Sequence, residues 1–261
     1  MRHHCKAQSP AAGRESVESA SADISRAAPP FAEVLLLLLH LRPFVFRGSP
    51  MLAADNLECV RGEQSLFQKV GFRLDAGELL LLRGANGVGK TSLLRMLCGL
   101  LPPRAGTIRW QGEDIRHLAG EYRAMLCYLG HLNAIKEEFT PLENLMQDTA
   151  FAGAPLSPAQ ALAALAEAGL AGRQDLPAHS LSQGQKRRVA LARLIVDQRP
   201  LWLLDEPFVA LDAEAVLWLA GKIGQHLEAG GLVVLTTHQI VEIPRAHVRE
   251  LRLAPSGSGR A

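Results

Sequence analysis

The chain has 261 residues, is 48% apolar and carries a formal net charge of only +2. This provides for one sizeable α/β core, or one with a helical insert, and excludes wholesale disorder. The near charge balance gives no whole-chain case for nucleic acid, and only two tyrosines argue against an aromatic base-stacking surface.

Residues 1–50 are rich in Ala, Ser, Pro and Arg and sustain no helix or strand period. Their apolar run, Val34 to Leu39, is interrupted by His40, Arg42 and Pro43, well short of the ~20 residues that a spanning helix needs. We read this stretch as a leader, either disordered or not translated, and place the start of the patterned chain at Met51. Without a spanning segment, any transport role requires a separate membrane subunit. Cys5, Cys59, Cys98 and Cys127 lie far apart, match no zinc, redox or haem-attachment spacing, and read as free thiols in a reducing compartment.

From Met51, the apolar positions Leu52, Leu57, Val60, Leu66, Phe67, Val70, Phe72 and Leu74, punctuated by Gly62 and Gly71, predict short antiparallel strands. A turn at 75–78 leads into Leu79-Leu80-Leu81-Leu82, the continuous apolar run of a strand buried on both faces. Gly84-Ala85-Asn86-Gly87-Val88-Gly89-Lys90-Thr91 follows and fits G-x-x-x-x-G-K-[ST] at every fixed position, between that strand and a predicted helix from Thr91 to Leu101. In such a loop the glycines let main-chain amides converge on one point, and the helix start adds partial positive charge. Lys90 offers a full charge to β- and γ-phosphates, and Thr91 a hydroxyl to Mg²⁺. The alternative reading is a glycine turn that only joins strand to helix.

Residues 105–112 read as strand and turn, and residues from about 121 to 198 as mostly helical, most clearly Ala159 to Leu170 with Ser157-Pro158 as its start signal. Leu181-Ser182-Gln183-Gly184-Gln185 opens a further helix, with Ser182 as its N-cap. Ser182, Gly184 and that helix start form a second candidate anion site. Lys186, Arg187 and Arg188 read as a solvated basic face. Leu201-Trp202-Leu203-Leu204 is a second buried strand and ends in Asp205-Glu206. If parallel to the first, it brings Asp205 to the phosphate edge to hold Mg²⁺ through water, and Glu206 to polarise an attacking water. The bland reading is a solvated strand end before Pro207. Leu232-Val233-Val234-Leu235 is a third buried strand, followed by His238. The tail, 255–261, is Gly/Ser-rich and reads as flexible.

In this order, the phosphate loop, Leu181-Ser182-Gln183-Gly184-Gln185, Asp205-Glu206, Ala210-Leu211-Asp212 and His238 resemble the ATP-binding cassette family over about residues 51–253. The resemblance implies a P-loop α/β nucleotide-binding domain over 51–254. Its parts are a mixed-sheet core, an antiparallel β subdomain and a helical subdomain at about 121–198. It implies ATP hydrolysis with Mg²⁺ by a homodimer of cassettes, in which the signature of one copy meets the γ-phosphate held by the other. Nucleotide then falls to Gly84, Ala85, Asn86, Gly87, Val88, Gly89, Lys90, Thr91 and Ser92, and from the opposite copy to Ser182, Gly184 and Gln185. Thr91 and Asp205 are implied metal ligands, Glu206 and His238 implied catalytic groups, and Ala210-Leu211-Asp212 an implied loop across the interface. Two positions depart from the family. Arg61 stands where an aromatic stacks on adenine, and His131 where a glutamine links Mg²⁺ to the membrane subunit.

Tyr128-Leu129-Gly130-His131-Leu132-Asn133-Ala134-Ile135-Lys136, Thr140-Pro141-Leu142-Glu143-Asn144-Leu145 and Thr236-Thr237-His238-Gln239 resemble the cytochrome c maturation ATPases within that family. This implies CcmB-type and CcmC-type membrane subunits at the cytoplasmic face of a bacterial inner membrane, and haem handled only indirectly. Alternatives are the ATPase of another small-molecule exporter, a soluble non-transport ATPase of the same family, or a non-catalytic module.

Overall fold

A computed structural model describes residues 51–254. The expectations for the 1–50 leader and the 255–261 tail lie outside the described residues. The described residues open with two long strands, β1 (Met51–Arg61) and β2 (Gln64–Asp75), paired antiparallel, with β4 (Ala105–Trp110) and β5 (Glu113–Asp114) completing a four-stranded sheet in the order β2-β1-β4-β5. The short strands expected over 51–74 are thus two continuous ones. Gly71 lies inside β2 rather than at a break, because the missing Cβ lets the Ala54 carbonyl approach: a Cβ there would lie 3.2 Å from its oxygen.

The second sheet has five strands in the order β6-β7-β8-β3-β9, made of β6 (Leu126–Leu129), β7 (Leu201–Asp205), β8 (Leu232–Thr236), β3 (Glu78–Arg83) and β9 (His247–Arg252). All of its pairings are parallel, so the mixture of strand directions is divided between two sheets. The runs at 79–82, 201–204 and 232–235 form its centre, where burial on both faces calls for unbroken apolar sequence. β6 interrupts the stretch read as helical from about 121. Helix α3 (Gly120–Ala124), just after α2 (Ile115–Leu118), ends before it, and the helical group proper begins beyond β6. That group comprises α4 (Pro141–Phe151), α5 (Pro158–Glu167) and α6 (Gln183–Val196).

One apolar core lies between the two sheets and around α1 (Lys90–Leu97), centred on Leu57, Phe67, Leu74, Leu93, Leu94 and Leu203. A second lies on the opposite face of the parallel sheet, under α6 and α7 (Ala213–Glu228), with Leu191, Phe208, Leu219 and Ile223. A third joins α4, α5 and α6 through Leu145, Leu165, Val189 and Ala192. Helix α7 was not predicted, although Asp212 caps it and Ala215, Leu219, Ile223 and Leu227 form its buried stripe. Because β3, β7 and β8 run in one direction, their C-terminal ends share one edge, where Asp205 pairs with Thr236 and Leu82 with Thr236 from the other side.

Candidate active site

The 84–91 loop leaves β3 and enters α1 at that edge. Gly89 occupies the position before α1 with φ 107°, and a Cβ there would lie 2.9 Å from the Phe67 ring. A side chain is excluded both by conformation and by space. No side chain caps α1, so its first amides face outward with the positive end of the helix dipole. The Lys90 ammonium folds over the loop, donating to the carbonyls of Gly84 at 2.8 Å and Ala85 at 3.2 Å, and lies 3.4 Å from His238 Nε2.

Asp205 is 2% exposed, and each of its oxygens receives a hydroxyl. Thr91 Oγ1 donates to Oδ2 at 2.8 Å and Thr236 Oγ1 to Oδ1 at 2.8 Å. Glu206 has φ 49°, in the left-handed region that a side-chain-bearing residue rarely adopts. Its amide donates to the Thr236 carbonyl at 3.2 Å and to Thr236 Oγ1 at 2.8 Å. The turn swings its carboxylate toward His238, whose amide donates to Oε2 at 3.3 Å and whose Nε2 lies 3.4 Å from Oε1. Glu206 Oε1 is buried and makes no hydrogen bond among the described residues. Glu206 lines the open cleft, so its carboxylate is a candidate acceptor for a proton from a nucleophile bound there.

Asn86, Gly87, Gly89, Lys90, Thr91, Ser92, Asp205, Glu206 and His238 line one open cleft of about 690 Å³, and Arg61 and His131 line it too. Val88 turns inward and is buried. Ser182, Gly184 and Gln185 do not line this cleft. They form the start of α6, closed by a capping box in which Ser182 Oγ accepts from the Gln185 amide at 3.2 Å and Gln185 Oε1 from the Ser182 amide at 2.9 Å. Gly184 backs directly onto the 210–212 segment: a Cβ would lie 2.8 Å from the Ala210 carbonyl oxygen.

The solvated basic face expected for Lys186, Arg187 and Arg188 is corrected by the structure. Lys186 is 9% and Arg187 3% exposed. The first turn of α6 is enclosed by the 130–137 segment and by the chain leaving β7. There, Lys186 bonds Glu137 at 2.6 Å, Arg187 bonds main-chain carbonyls, and Arg188 grips Asp212 at 2.7 and 2.9 Å while donating to the Ala168 carbonyl. The Asp212 carboxyl is held below its ordinary range by the Ala215 amide and by Arg188. Arg187 and Thr236 are the site residues that sequence reasoning passed over. For Thr236 a signal existed in its place at the end of a buried strand beside Asp205; for Arg187 the sequence offered none, since its partners are distant carbonyls.

A sequence profile described as ABC transporter matches residues 67–209. The chain is 64% identical over 203 residues to a protein of Dechloromonas aromatica named "Cytochrome c biogenesis ATP-binding export protein CcmA", covering 78% of this chain and 100% of the relative. It is 50% identical over 204 residues to a protein of the same name from Nitrosospira multiformis, covering 78% and 99%. Among solved structures, a putative ABC transporter ATP-binding protein of Pyrococcus furiosus superposes with a TM-score of 0.67 at 22% identity, over 78% of this chain and 97% of that one, a likeness of fold.

Proposed function

The chain belongs to the ABC transporter family, and from that premise we propose that it is the ATP-hydrolysing subunit of an inner-membrane complex for c-type cytochrome biogenesis, working as a face-to-face pair of cassettes. Main support comes from the arrangement at one sheet edge: an uncapped helix start with Lys90, a hydroxyl-bridged Asp205, and Glu206 with a bare Oε1 beside His238. The signature residues Ser182 and Gly184 stand apart from the cleft of their own chain, which favours completion of each cleft by the opposite copy.

In the proposed mechanism, the amides at the start of α1 and the Lys90 ammonium receive the β- and γ-phosphates, Lys90 exchanging the Gly84 and Ala85 carbonyls for phosphate oxygens. Thr91 and Asp205 are the residues that would hold Mg²⁺, a pair of hard oxygen donors suited to it, and when bound the ion neutralises phosphate charge. His131 lines the same cleft and would supply an imidazole nitrogen near the ion. Arg61 stacks its guanidinium on the adenine. Glu206 Oε1 accepts a proton from water as its oxygen bonds to the γ-phosphorus, and the bond to the β,γ-bridging oxygen breaks with release of ADP. His238 orients the water and the γ-phosphate.

The biological assignment rests on the relatives named for cytochrome c biogenesis. No helix among the described residues is long and apolar enough to cross a membrane. The proposed partners are CcmB-type and CcmC-type membrane subunits, with this chain peripheral on the cytoplasmic face and haem met only through them. The test is Glu206→Gln. Loss of the proton acceptor should slow hydrolysis by about 10²- to 10⁴-fold, and ATP-trapped dimers should accumulate. A monomer at saturating ATP in that variant would overturn the paired-cassette reading. Co-purification with other membrane proteins, or normal holo-cytochrome c in a deletion strain, would overturn the cytochrome assignment.

A further inference from the structure

Arg187 spends all of its donor groups on acceptors that are not carboxylates. Nε donates to the Pro207 carbonyl at 3.1 Å, and Nη2 to the carbonyls of Glu206 at 2.9 Å and Asp205 at 3.4 Å. Nη1 turns the other way, to Asn133 Oδ1 at 2.9 Å and the Gly130 carbonyl at 3.3 Å. The guanidinium is thus a rigid fork between two segments: the three residues that carry the site carboxylates away from β7, and the 130–133 loop that bears His131. Burial pulls it down to about 10 against the attraction of Asp205 and Glu206, so it remains charged at neutral pH.

A left-handed φ at a residue other than glycine persists only where its surroundings hold it. At Glu206 the amide side is held by Thr236 and the carbonyl side by Arg187, with the Val209 amide as a second donor at 3.3 Å. Lys186 and Arg188 flank Arg187 and do something different, bonding carboxylates that are largely exposed. We propose that Arg187 is a positioning residue for hydrolysis: it fixes the main chain of Glu206 in the turn that aims its carboxylate at His238, and it ties that turn to the 130–133 loop. A displacement of the loop therefore reaches Glu206 through one side chain. The proposal rests on the reading of Glu206 as the proton acceptor.

The experiment compares Arg187→Met, Arg187→Lys and Asn133→Ala in the full-length chain. It records kcat and KM for ATP, affinity for a fluorescent ATP analogue, thermal midpoint and hydrogen exchange at the Glu206 amide. Misplacement of the carboxylate by about an ångström should lower kcat roughly 100-fold in Arg187→Met, with KM and nucleotide affinity unchanged and faster exchange at Glu206. Arg187→Lys should recover part of the rate, since an ammonium donates but cannot span both segments. Asn133→Ala should lower kcat in the same direction, and adding it to Arg187→Met should cost nothing more. A parental kcat in Arg187→Met overturns the proposal, as does a loss of kcat and nucleotide affinity together in step with the folded fraction. If Arg187→Met does not fold, the same split decides on Arg187→Lys. Active Glu206→Gln overturns the underlying reading, whereas inactive Glu206→Gln beside fully active Arg187→Met overturns only this inference.

Discussion

Replacing Thr236 by valine changes one hydroxyl into a methyl at a site with 0% exposure, leaving size and branching intact. That hydroxyl donates to Asp205 Oδ1 at 2.8 Å and accepts from the Glu206 amide at 2.8 Å. The amide keeps the Thr236 carbonyl at 3.2 Å, so its loss is partial. Asp205 Oδ1 loses a hydrogen bond to a charged group in a buried place, for which about 1.5–3 kcal/mol is usual. We expect a net destabilisation of about 2–3 kcal/mol, which for a domain of this size lowers the thermal midpoint by roughly 4–12 °C. Thr236→Ser keeps the hydroxyl and loses only a buried methyl, so it should lose about 1 kcal/mol yet keep the parental Mg²⁺ dependence. The assay is thermal unfolding of both variants, paired with a Mg²⁺ titration of ATP hydrolysis, in which Thr236→Val should require more Mg²⁺ because Asp205 is held by Thr91 alone. A Thr236→Val protein that melts with the parent and shows the same Mg²⁺ dependence would refute the claim that this hydroxyl orients Asp205.

Gly184→Ala should push the start of α6 away from the Ala210 carbonyl. Overpacking of about 1–3 kcal/mol is offset by about 1 kcal/mol of helix propensity, so the midpoint should fall only slightly while hydrolysis drops with nucleotide affinity retained; unchanged hydrolysis would count against the contact. His226 lies flat against Trp202, 3.8 Å between ring centroids, and burial pulls it down to about 4. An unfolded histidine titrates near 6.5, so between these values the unfolded chain binds the extra proton. Stability should therefore fall as pH drops from about 6.5 toward 4, by at most ~3 kcal/mol. Urea unfolding across that range checks it, and a His226→Phe variant with the same slope would show that other groups carry the effect.

The centre of the parallel sheet was legible because strands buried on both faces must be apolar throughout, which is how 79–82, 201–204 and 232–235 read. β9 at 247–252 was not, since an edge strand with charged, exposed side chains carries no such run. β6 escaped for a different reason: four residues between helical stretches are too few to show a period. The phosphate loop, Asp205, Glu206 and His238 were visible as local patterns, and the structure gathers them in one cleft with Arg61 and His131. Arg187 was read as solvated because its burial is decided by carbonyls at 130 and 205–207, far from it in sequence. Long-range polar satisfaction of this kind leaves no trace in composition or spacing.

Among the described residues three helices start with a capping box, and they differ in one hydrogen atom. Thr140 and Ser157 turn their hydroxyls to donate to Glu143 and Gln160 as well as accepting the N3 amide. Ser182 accepts from Gln185, and its own O–H hydrogen goes to no group among the described residues. A hydroxyl has one donor and two lone pairs, so this oxygen fastens the helix while its proton can swivel outward to an anion with no movement of the backbone. Aspartate caps a helix as firmly as serine but brings a negative charge and no hydrogen to share. At this one atom the helix is fastened through a lone pair and the hydrogen is left to spare, which a carboxylate cap could not offer.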